Sequence, residues 1–218
     1  AISTFQINIP TPVMGGVRTP IKQFASCVLV DVDDTLPSIF SSNSAVGYYI
    51  AQRAGIGLNL GRIRGINSKI RGGEVAHTGV IPFLKVFEST VRSCTQNGIR
   101  GGSATVHFPI WHQEIEDILV LKNNKGTEDN RVRKLDYSIQ ISKLFYERLL
   151  ADEEITLFSP HDVEDLYDVF GVDNEAFEEL YLKYEADRKT PKKKIKAMEL
   201  FSALLKERAE TGRIYIMN

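Results

Sequence analysis

Short apolar segments rich in β-branched residues alternate with helical patterns in the first half of the chain, and this alternation restricts the fold more than any other feature. The segment ASCVLVDV at 25–32 is typical of a buried strand. A helical pattern follows at about 37–53, with Asp34 or Thr35 suited to cap it and Pro37 in its first turn. The same order then repeats, with strand-like segments at 54–65 and 104–112 and a helical pattern at about 78–93. This order favours an α/β fold with parallel strands.

The second half of the chain is predicted to be mostly helical and to end in a strand. The helical patterns cover roughly 113–121, 138–150, 162–169, 174–186 and 192–210, and the closing strand is 213–217. Near the start, three prolines and two glycines within 9–20 predict that this stretch forms no regular element.

Composition excludes several classes of protein. Hydrophobic residues make up 43% and charged residues 25% of the 218 residues, as in soluble globular proteins. No apolar run approaches the ~20 residues of a membrane span, and a formal net charge of -1 gives no general attraction to DNA. Cys27 and Cys94 belong to no CxxC pair, which argues against a disulfide-stapled secreted fold and a cysteine-based zinc site. We therefore expect a cytoplasmic protein that binds neither membrane nor DNA.

A glycine-rich stretch, SCTQNGIRGGSATV at 93–106, separates a helical pattern from a strand-like one and carries Arg100 among its glycines. Glycine allows the backbone to approach a ligand closely, and a guanidinium group matches phosphate in shape and charge. The stretch is therefore a candidate nucleotide or phosphate site. It is not a P-loop, because the motif GxxxxGK[ST] is absent and the loop precedes a strand. The alternative is a flexible connection without a ligand.

A second segment, GRIRGINSKIRGG at 61–73, combines glycines with Arg62, Arg64 and Arg71. Asp34 precedes a predicted helix, where its carboxylate could bind a ribose hydroxyl or simply cap the helix.

Other reactive side chains have ordinary alternatives. Cys27 lies in an apolar strand, and the alternative to a redox role is a small buried hydrophobe. His107 and His112 would point to opposite faces of a strand, so we interpret them as packing or surface residues and predict no metal site. The basic stretch PKKKIK at 191–196 is interpreted as the solvated start of a helix.

Six segments, taken in order, resemble a known family. They are PTPVMGGVRTPIKQFASCVLV, QRAGIGLNLGRIRG, IRGGEVAHTGVIPFLK, SCTQNGIRGGSATVHFPIWH, LVLKNNKG and LFSPHDV. Together they resemble the large (α) subunits of aerobic class I ribonucleotide reductases, in particular those of bacteria and T4-like phages. The resemblance covers essentially the whole chain.

The resemblance implies a fold and an activity. The fold is a ten-stranded α/β barrel of two five-stranded halves, of which this chain would supply most of the first. The family converts ribonucleoside diphosphates to deoxyribonucleoside diphosphates for DNA synthesis by thiyl-radical chemistry, under allosteric control by dNTP or ATP. A small (β) subunit supplies a di-iron tyrosyl radical, and thioredoxin or glutaredoxin supplies electrons. No cofactor bound by this chain itself is implied.

The resemblance also assigns roles to particular residues. Cys27 would be a redox-active thiol, with Thr11, Ser26, Ala54 and Gly55 in contact with the substrate. The effector would be bound by Asp34, Leu36, Arg64 and Ile70. Gln96 and Arg100 would be the reading residues of a specificity loop between effector and substrate, and the helices at 37–53 and 78–93 would form a homodimer.

Residues 1–218 would thus be one partial barrel domain containing substrate-pocket residues, effector loops and dimer helices. We expect an internal fragment that is inactive alone, with the activity cone and the second half of the barrel absent. Glu164 and Asp165 stand where the family has Pro-Gly, a peripheral departure. Two alternatives remain: a non-catalytic nucleotide-binding regulatory module, and the adenosylcobalamin-dependent relative on the same barrel.

Overall fold

The computed structural model describes residues 1–18, 20, 22, 24–96 and 100–218. Its strands are β1 (Cys27–Asp31), β2 (Gly55–Asn59), β3 (Lys69–Ile70), β4 (Val75–Ala76), β5 (Thr95–Gln96), β6 (Arg100–Gly101), β7 (Ala104–Pro109), β8 (Asp136–Gln140), β9 (Glu154–Leu157), β10 (Lys193–Lys196) and β11 (Ile214–Met217). Its α-helices are α1 (Thr11–Val17), α2 (Leu36–Ala51), α3 (Ile81–Ser93), α4 (Ile115–Leu119), α5 (Lys143–Leu150), α6 (Glu164–Val169), α7 (Asn174–Ala186) and α8 (Ala197–Thr211). Short 3-10 helices lie at Arg71–Gly73, Glu128–Asn130 and Pro160–Asp162.

A five-stranded sheet in the order β1-β2-β7-β8-β11 forms the centre of the fold. All four pairs of neighbouring strands are parallel, and the register places Cys27 opposite Gly55. The predicted α/β fold with parallel pairing is therefore confirmed.

In the described part of the chain, helices cover only one face of the sheet, and alternate side chains of a strand point to opposite faces. On the covered face, the strands bury Ile56, Leu58, Ala104, Val106, Phe108, Tyr137, Ile139 and Ile214 against α2, α3 and α8. The opposite face carries Cys27, Leu29, Gly57, His107 and Met217, and Leu29 is 82% exposed there. The side chains expected to do chemistry therefore lie on the open face.

Two helix predictions wrongly included a strand at their starts, because these strand segments were taken as parts of helices. In 138–150, residues up to Gln140 belong to β8, and the helix begins only at Lys143, capped by Ser142. In 192–210, Lys193–Lys196 is β10, which pairs antiparallel with β9. The basic stretch is thus mainly a strand and does not open a helix.

The prediction that 9–20 is irregular was also wrong, since Thr11–Val17 is helical. Proline is tolerated in the first turn of a helix, where its missing N–H would have no intrahelical partner. The carbonyl of Pro10 accepts the first hydrogen bonds of this helix, from the amides of Val13 and Met14.

The two helices between the first strands are close to their predicted positions. Thr35 caps α2, because its Oγ1 accepts from the Ser38 amide at 3.2 Å. The start of α3 was predicted too early: the helix begins at Ile81, and the exposed Thr78 does not cap it. No membrane-spanning helix is found among the residues that the structure describes.

A separate aromatic cluster supports the end of the sheet. It consists of Trp111, Phe158, Val163, Leu166, Phe170, Phe177 and Tyr181, and it joins β9 to α6 and α7. Through this cluster, α6 is held next to the loops that follow β1 and β2.

The glycine-rich stretch folds back on itself. The backbones of Thr95 and Gly101, and those of Gln96 and Arg100, pair antiparallel across it. A Cβ added to Gly102 would lie 2.4 Å from the Val91 carbonyl oxygen, whereas one added to Gly101 would have no atom of the described residues within 4 Å. Gly102 is therefore required by close packing against the end of α3.

Substitution of these two adjacent glycines should have different effects on stability. Gly102→Ala forces the backbone away from α3 and should lower the free energy of unfolding by about 1–3 kcal/mol. The matched variant Gly101→Ala adds its methyl group where no described residue lies within 4 Å and should be neutral or slightly stabilising. Urea denaturation of both variants checks this, and equal stabilities would contradict it.

Candidate functional site

Four residues with predicted roles at the substrate meet where β1 and β2 begin. The Gly55 amide donates to the Ser26 carbonyl oxygen at 2.9 Å. The Cys27 Sγ lies 3.9 Å from the Ser26 Oγ. A Cβ on Gly55 would lie 3.9 Å from that sulfur, and Ala54, just before it, is fully buried. Cys27 is exposed here and is not the buried hydrophobe of the alternative interpretation.

Thr11, the fifth predicted substrate residue, begins α1. Its side chain lies outside the described part of the structure, so its role stays a prediction. Cys94 is half-buried and lies between helices: its Sγ is 3.4 Å from where a Cβ of Gly47 in α2 would be. That position gives the second thiol a packing role.

A cavity of about 280 Å³ lies on the open face of the sheet. Its lining includes Leu29, Gly57, His107, Tyr167 and Met217. A Cβ on Gly57 would come within 2.5 Å of the Leu29 Cδ2, so glycine at this position makes room for the leucine. The cavity is mainly apolar, with a few polar groups at its edge.

The predicted effector residues converge at the other ends of the same strands. The Asp34 carboxylate accepts from the Arg64 amide at 3.0 Å and from the Arg64 Nε at 2.6 Å. The Arg64 Nη1 donates to the Lys69 carbonyl oxygen at 2.9 Å, directly before Ile70. Leu36 begins α2 and is 58% exposed. Since Thr35 caps α2, Asp34 is used for the loop and not as the cap.

A cleft of about 230 Å³ opens beside this ion pair. It is lined by Asp33, Asp34, Arg62, Pro160, His161, Glu164, Tyr167 and Asp168. Carboxylates are suited to accept hydrogen bonds from ribose hydroxyls, but they repel phosphates. Phosphate binding here would therefore depend on cationic side chains, namely Arg62 in the lining and those of the neighbouring segment, such as Arg64, Lys69 and Arg71.

Several residues in this cleft or beside it were not identified from the sequence. The His161 Nδ1 lies 3.5 Å from a Glu164 carboxylate oxygen and 4.0 Å from one of Asp34. Ser159 accepts from the Gly65 amide at 3.1 Å and lies 2.8 Å from the Ser68 hydroxyl. The segment LFSPHDV contained the only sequence signal for them. Glu164, interpreted as peripheral, in fact lines the cleft.

Tyr167 lies between the cleft and the open-face cavity and lines both. Its hydroxyl donates to the Asn59 Oδ1 at 2.7 Å, and the Asn59 Nδ2 donates to Asp31 at 2.6 Å. The Arg62 guanidinium lies 4.6 Å from the centre of its ring. Burial raises the pKa of Tyr167 to about 12, so its hydroxyl is neutral at physiological pH.

The backbones of Gln96 and Arg100 face each other across the β5–β6 pair. Their side chains, and residues 97–99 between them, lie outside the described residues. The specificity-loop roles of Gln96 and Arg100 therefore stay predictions.

Comparison with known proteins identifies the family. Residues 25–218 match the model of the ribonucleotide reductase barrel domain. The chain is 59% identical, over all 218 residues, to the ribonucleoside-diphosphate reductase subunit alpha of Haemophilus influenzae and to the ribonucleoside-diphosphate reductase 1 subunit alpha of Escherichia coli. It is 52% identical over 217 residues to the subunit alpha of Enterobacteria phage T4. In each comparison the chain spans 29% of the relative's length. This chain belongs to the ribonucleotide reductase barrel-domain family.

Proposed function

We propose that the chain is the part of a ribonucleoside-diphosphate reductase α subunit that carries one reductant thiol and the effector site. The observation that carries this proposal is the exposed thiol of Cys27 beside Ser26 and Gly55, on the open face of a parallel sheet. The names of the relatives support the reaction, which converts ribonucleoside diphosphates to deoxyribonucleoside diphosphates.

The chemistry requires two electrons. Two thiols are oxidised to a disulfide, their electrons and protons reduce the ribose, and the 2′-hydroxyl leaves as water. Cys27 would supply one of these thiols. The family resemblance assigns the partner thiol and the radical-bearing cysteine to later parts of the subunit. Thioredoxin or glutaredoxin would reduce the disulfide again by thiol–disulfide exchange.

The small β subunit would supply the initiating radical from its di-iron tyrosyl site. What this chain contributes is the placement of the ribose: the Gly55 backbone leaves space in front of the Cys27 sulfur, and Ser26 provides a hydroxyl beside it. We place this enzyme in the cytoplasm, where reduced thiols are maintained.

The effector would be a dNTP or ATP bound near Asp34, Leu36, Arg64 and Ile70. The Asp34–Arg64 pair supports this, because it fixes a carboxylate and a guanidinium at one mouth of the cleft. Gln96 and Arg100 would then transmit the identity of the effector base to the substrate, as a coupling free energy between two sites.

A homodimer would form through α2 and α3. The outer side of α2 exposes Phe40 and Tyr48, which are 52% and 77% accessible. Aromatic side chains are enriched in protein interfaces, and their exposure in this chain is consistent with a second copy covering them. Asp34 follows β1 and Leu36 begins α2, so the effector would lie near the subunit boundary.

The first prediction concerns the reductant thiol. In the complete subunit, Cys27→Ser should still bind substrate but should lose multiple turnover with thioredoxin, because a hydroxyl cannot form the disulfide that carries away two electrons. The matched variant Cys94→Ser should keep turnover, since Cys94 packs between helices. Steady-state assays with both variants decide; a well-folded Cys27→Ser enzyme with normal turnover would exclude the proposed role.

The second prediction concerns substrate selection. Arg100→Ala should make product ratios less dependent on the effector, because the loop loses a charged contact that differs between its conformations. Competition among the four ribonucleoside diphosphates, repeated with each effector, measures this. The exposed Arg188, which follows the end of α7, provides the control Arg188→Ala. Product ratios that still follow the effector in Arg100→Ala would shift the role to Gln96.

The third prediction concerns assembly. Effector should tighten the dimer by linkage, and Tyr48→Glu should abolish that effect by placing a charge in the interface. Sedimentation of the complete subunit with and without dNTP measures the association. Leu150→Glu, at an exposed helix end, serves as the control. If Tyr48→Glu dimerises like the wild type, α2 is not part of the dimer interface.

A further inference from the structure

The segment from Ile63 to Val80 carries Arg64 and Ile70, yet it contains only short regular elements of its own. β3 and β4 are two residues long each, and the helical turn between them has three. Such a segment owes its shape to contacts from outside. Many of these contacts come from three consecutive side chains that follow β7.

His112, Gln113 and Glu114 each hold a backbone group of this segment. The His112 Nε2 donates to the Ile63 carbonyl oxygen at 2.9 Å. The Gln113 Nε2 donates to the Ile66 carbonyl oxygen at 3.3 Å. The Glu114 Oε2 accepts from the Ile66 amide at 2.8 Å. The three side chains therefore define the path on which Arg64 leaves β2.

Glu114 also holds the far end of the segment. Its two carboxylate oxygens lie 3.2 and 3.3 Å from the Val80 amide nitrogen, at the start of α3. A single carboxylate thus binds the segment near its start, at Ile66, and at its end, at Val80. The Val80 amide needs such an acceptor, because the first amides of a helix have no intrahelical acceptor.

Two glycines make room for this arrangement. A Cβ on Gly79 would lie 2.5 Å from the Glu114 Oε1, and Gly79 has a φ of +89°. A Cβ on Gly65 would lie 2.5 Å from the Gln113 Oε1. Glu114 itself is only 5% exposed, so its two acceptor contacts replace water.

The protonation states of His112 and Glu114 depend on their hydrogen bonds and on their burial. The His112 Nδ1 accepts from the Glu114 amide at 3.1 Å, so only the neutral tautomer with a proton on Nε2 satisfies both ring nitrogens. Burial lowers the pKa of His112 to about 4. Burial raises the pKa of Glu114 to about 7, and Asp117 adds to the rise, while the hydrogen bonds from Ile66 and Val80 oppose it.

We propose that Glu114 is the positioning residue of the effector segment: by joining Ile66 to Val80, it sets the place of Arg64 relative to Asp34 and thereby the affinity for a nucleoside triphosphate. The effector part of this inference rests on the proposed function. We call the contacts of Glu114 with the Ile66 and Val80 amides the clamp. The clamp does not rest on the proposed function, since it consists of contacts within the chain.

The test uses the complete subunit with Glu114→Gln, which keeps the volume of the side chain but replaces one acceptor oxygen by a donor group. Glu116→Gln, two residues away and more exposed, is the matched control. Hydrogen exchange at 64–80 should increase in Glu114→Gln only. The dissociation constant for dATP, measured by calorimetry, should rise about tenfold, whereas turnover at saturating effector should change less than twofold.

The pH dependence of the stability against urea gives a further test. Because folding raises the pKa of Glu114 from 4.5 to about 7, this group stabilises the fold below pH 4.5, and that contribution is lost as pH rises to 7. The urea midpoint of the wild type should therefore fall relative to Glu114→Gln between pH 5 and pH 7.5. His112, His77 and Asp117 near this carboxylate are present in both proteins, so their titration largely cancels. Glu116→Gln keeps Glu114, so its urea midpoint should fall relative to that of Glu114→Gln as the wild type's does.

The possible results of these experiments distinguish the clamp, the positioning role and the proposed function. Unchanged hydrogen exchange in Glu114→Gln would exclude the clamp. Increased exchange with an unchanged dATP affinity would make Glu114 structural only and overturn the positioning role. If the wild type binds no nucleoside triphosphate, the proposed function fails together with the effector part, while the exchange result still decides the clamp. If Glu114→Gln does not fold, Gln113→Ala should give the same changes at smaller size, and their absence would overturn the proposal.

Discussion

The one-sided burial of the parallel sheet is the constraint on which the other features depend. Parallel sheets are normally covered on both faces. Here Val, Ile and Leu side chains bury one face under helices, and the other face keeps Cys27, Leu29 and His107 accessible. A slip of one residue in the register of β1 would turn Cys27 inward and Val28 outward. The apolar side chains of the covered face therefore hold the thiol in its place.

The two groups of candidate residues lie at opposite ends of the same strands. Cys27 and Gly55 begin β1 and β2, whereas Asp34 and Arg64 follow their carboxyl ends. A five-residue strand spans roughly 13 Å at 3.3 Å per residue. Tyr167 contacts Asn59 at the carboxyl end of β2 and lines both cavities. The strand pair and this shared side wall connect the two proposed nucleotide sites.

Much of the fold was predictable because its signals are local. The β-branched segment of β1, the Thr35 cap and the spacing of Leu84, Phe87 and Val91 in α3 act within a few residues, and all of them hold in the structure. The failures were also local: the alternation of β8 is interrupted by a buried Ser138, and β10 is formed mostly by lysines, which are rare in strands.

The polar contacts of the effector side could not be predicted in the same way. Glu114 accepts from residues 34 and 48 positions away, and Ser159 contacts residues more than 90 positions away. Contacts between residues this far apart in the sequence produce no periodic pattern or characteristic spacing from which they could be predicted. The family resemblance supplied Asp34 and Arg64, but the side chains that hold their loop were visible only once the strands had been placed side by side.

The order of strands in the central sheet is also their order along the chain. During synthesis, therefore, each new strand can pair with the one made just before it, and the sheet grows at a single edge. Ribosomes add roughly 5–20 residues per second, so each strand–helix–strand unit emerges within seconds. The nascent sheet always offers one unpaired edge to the strand that comes next, and the direction of translation coincides with the direction in which the barrel wall is built.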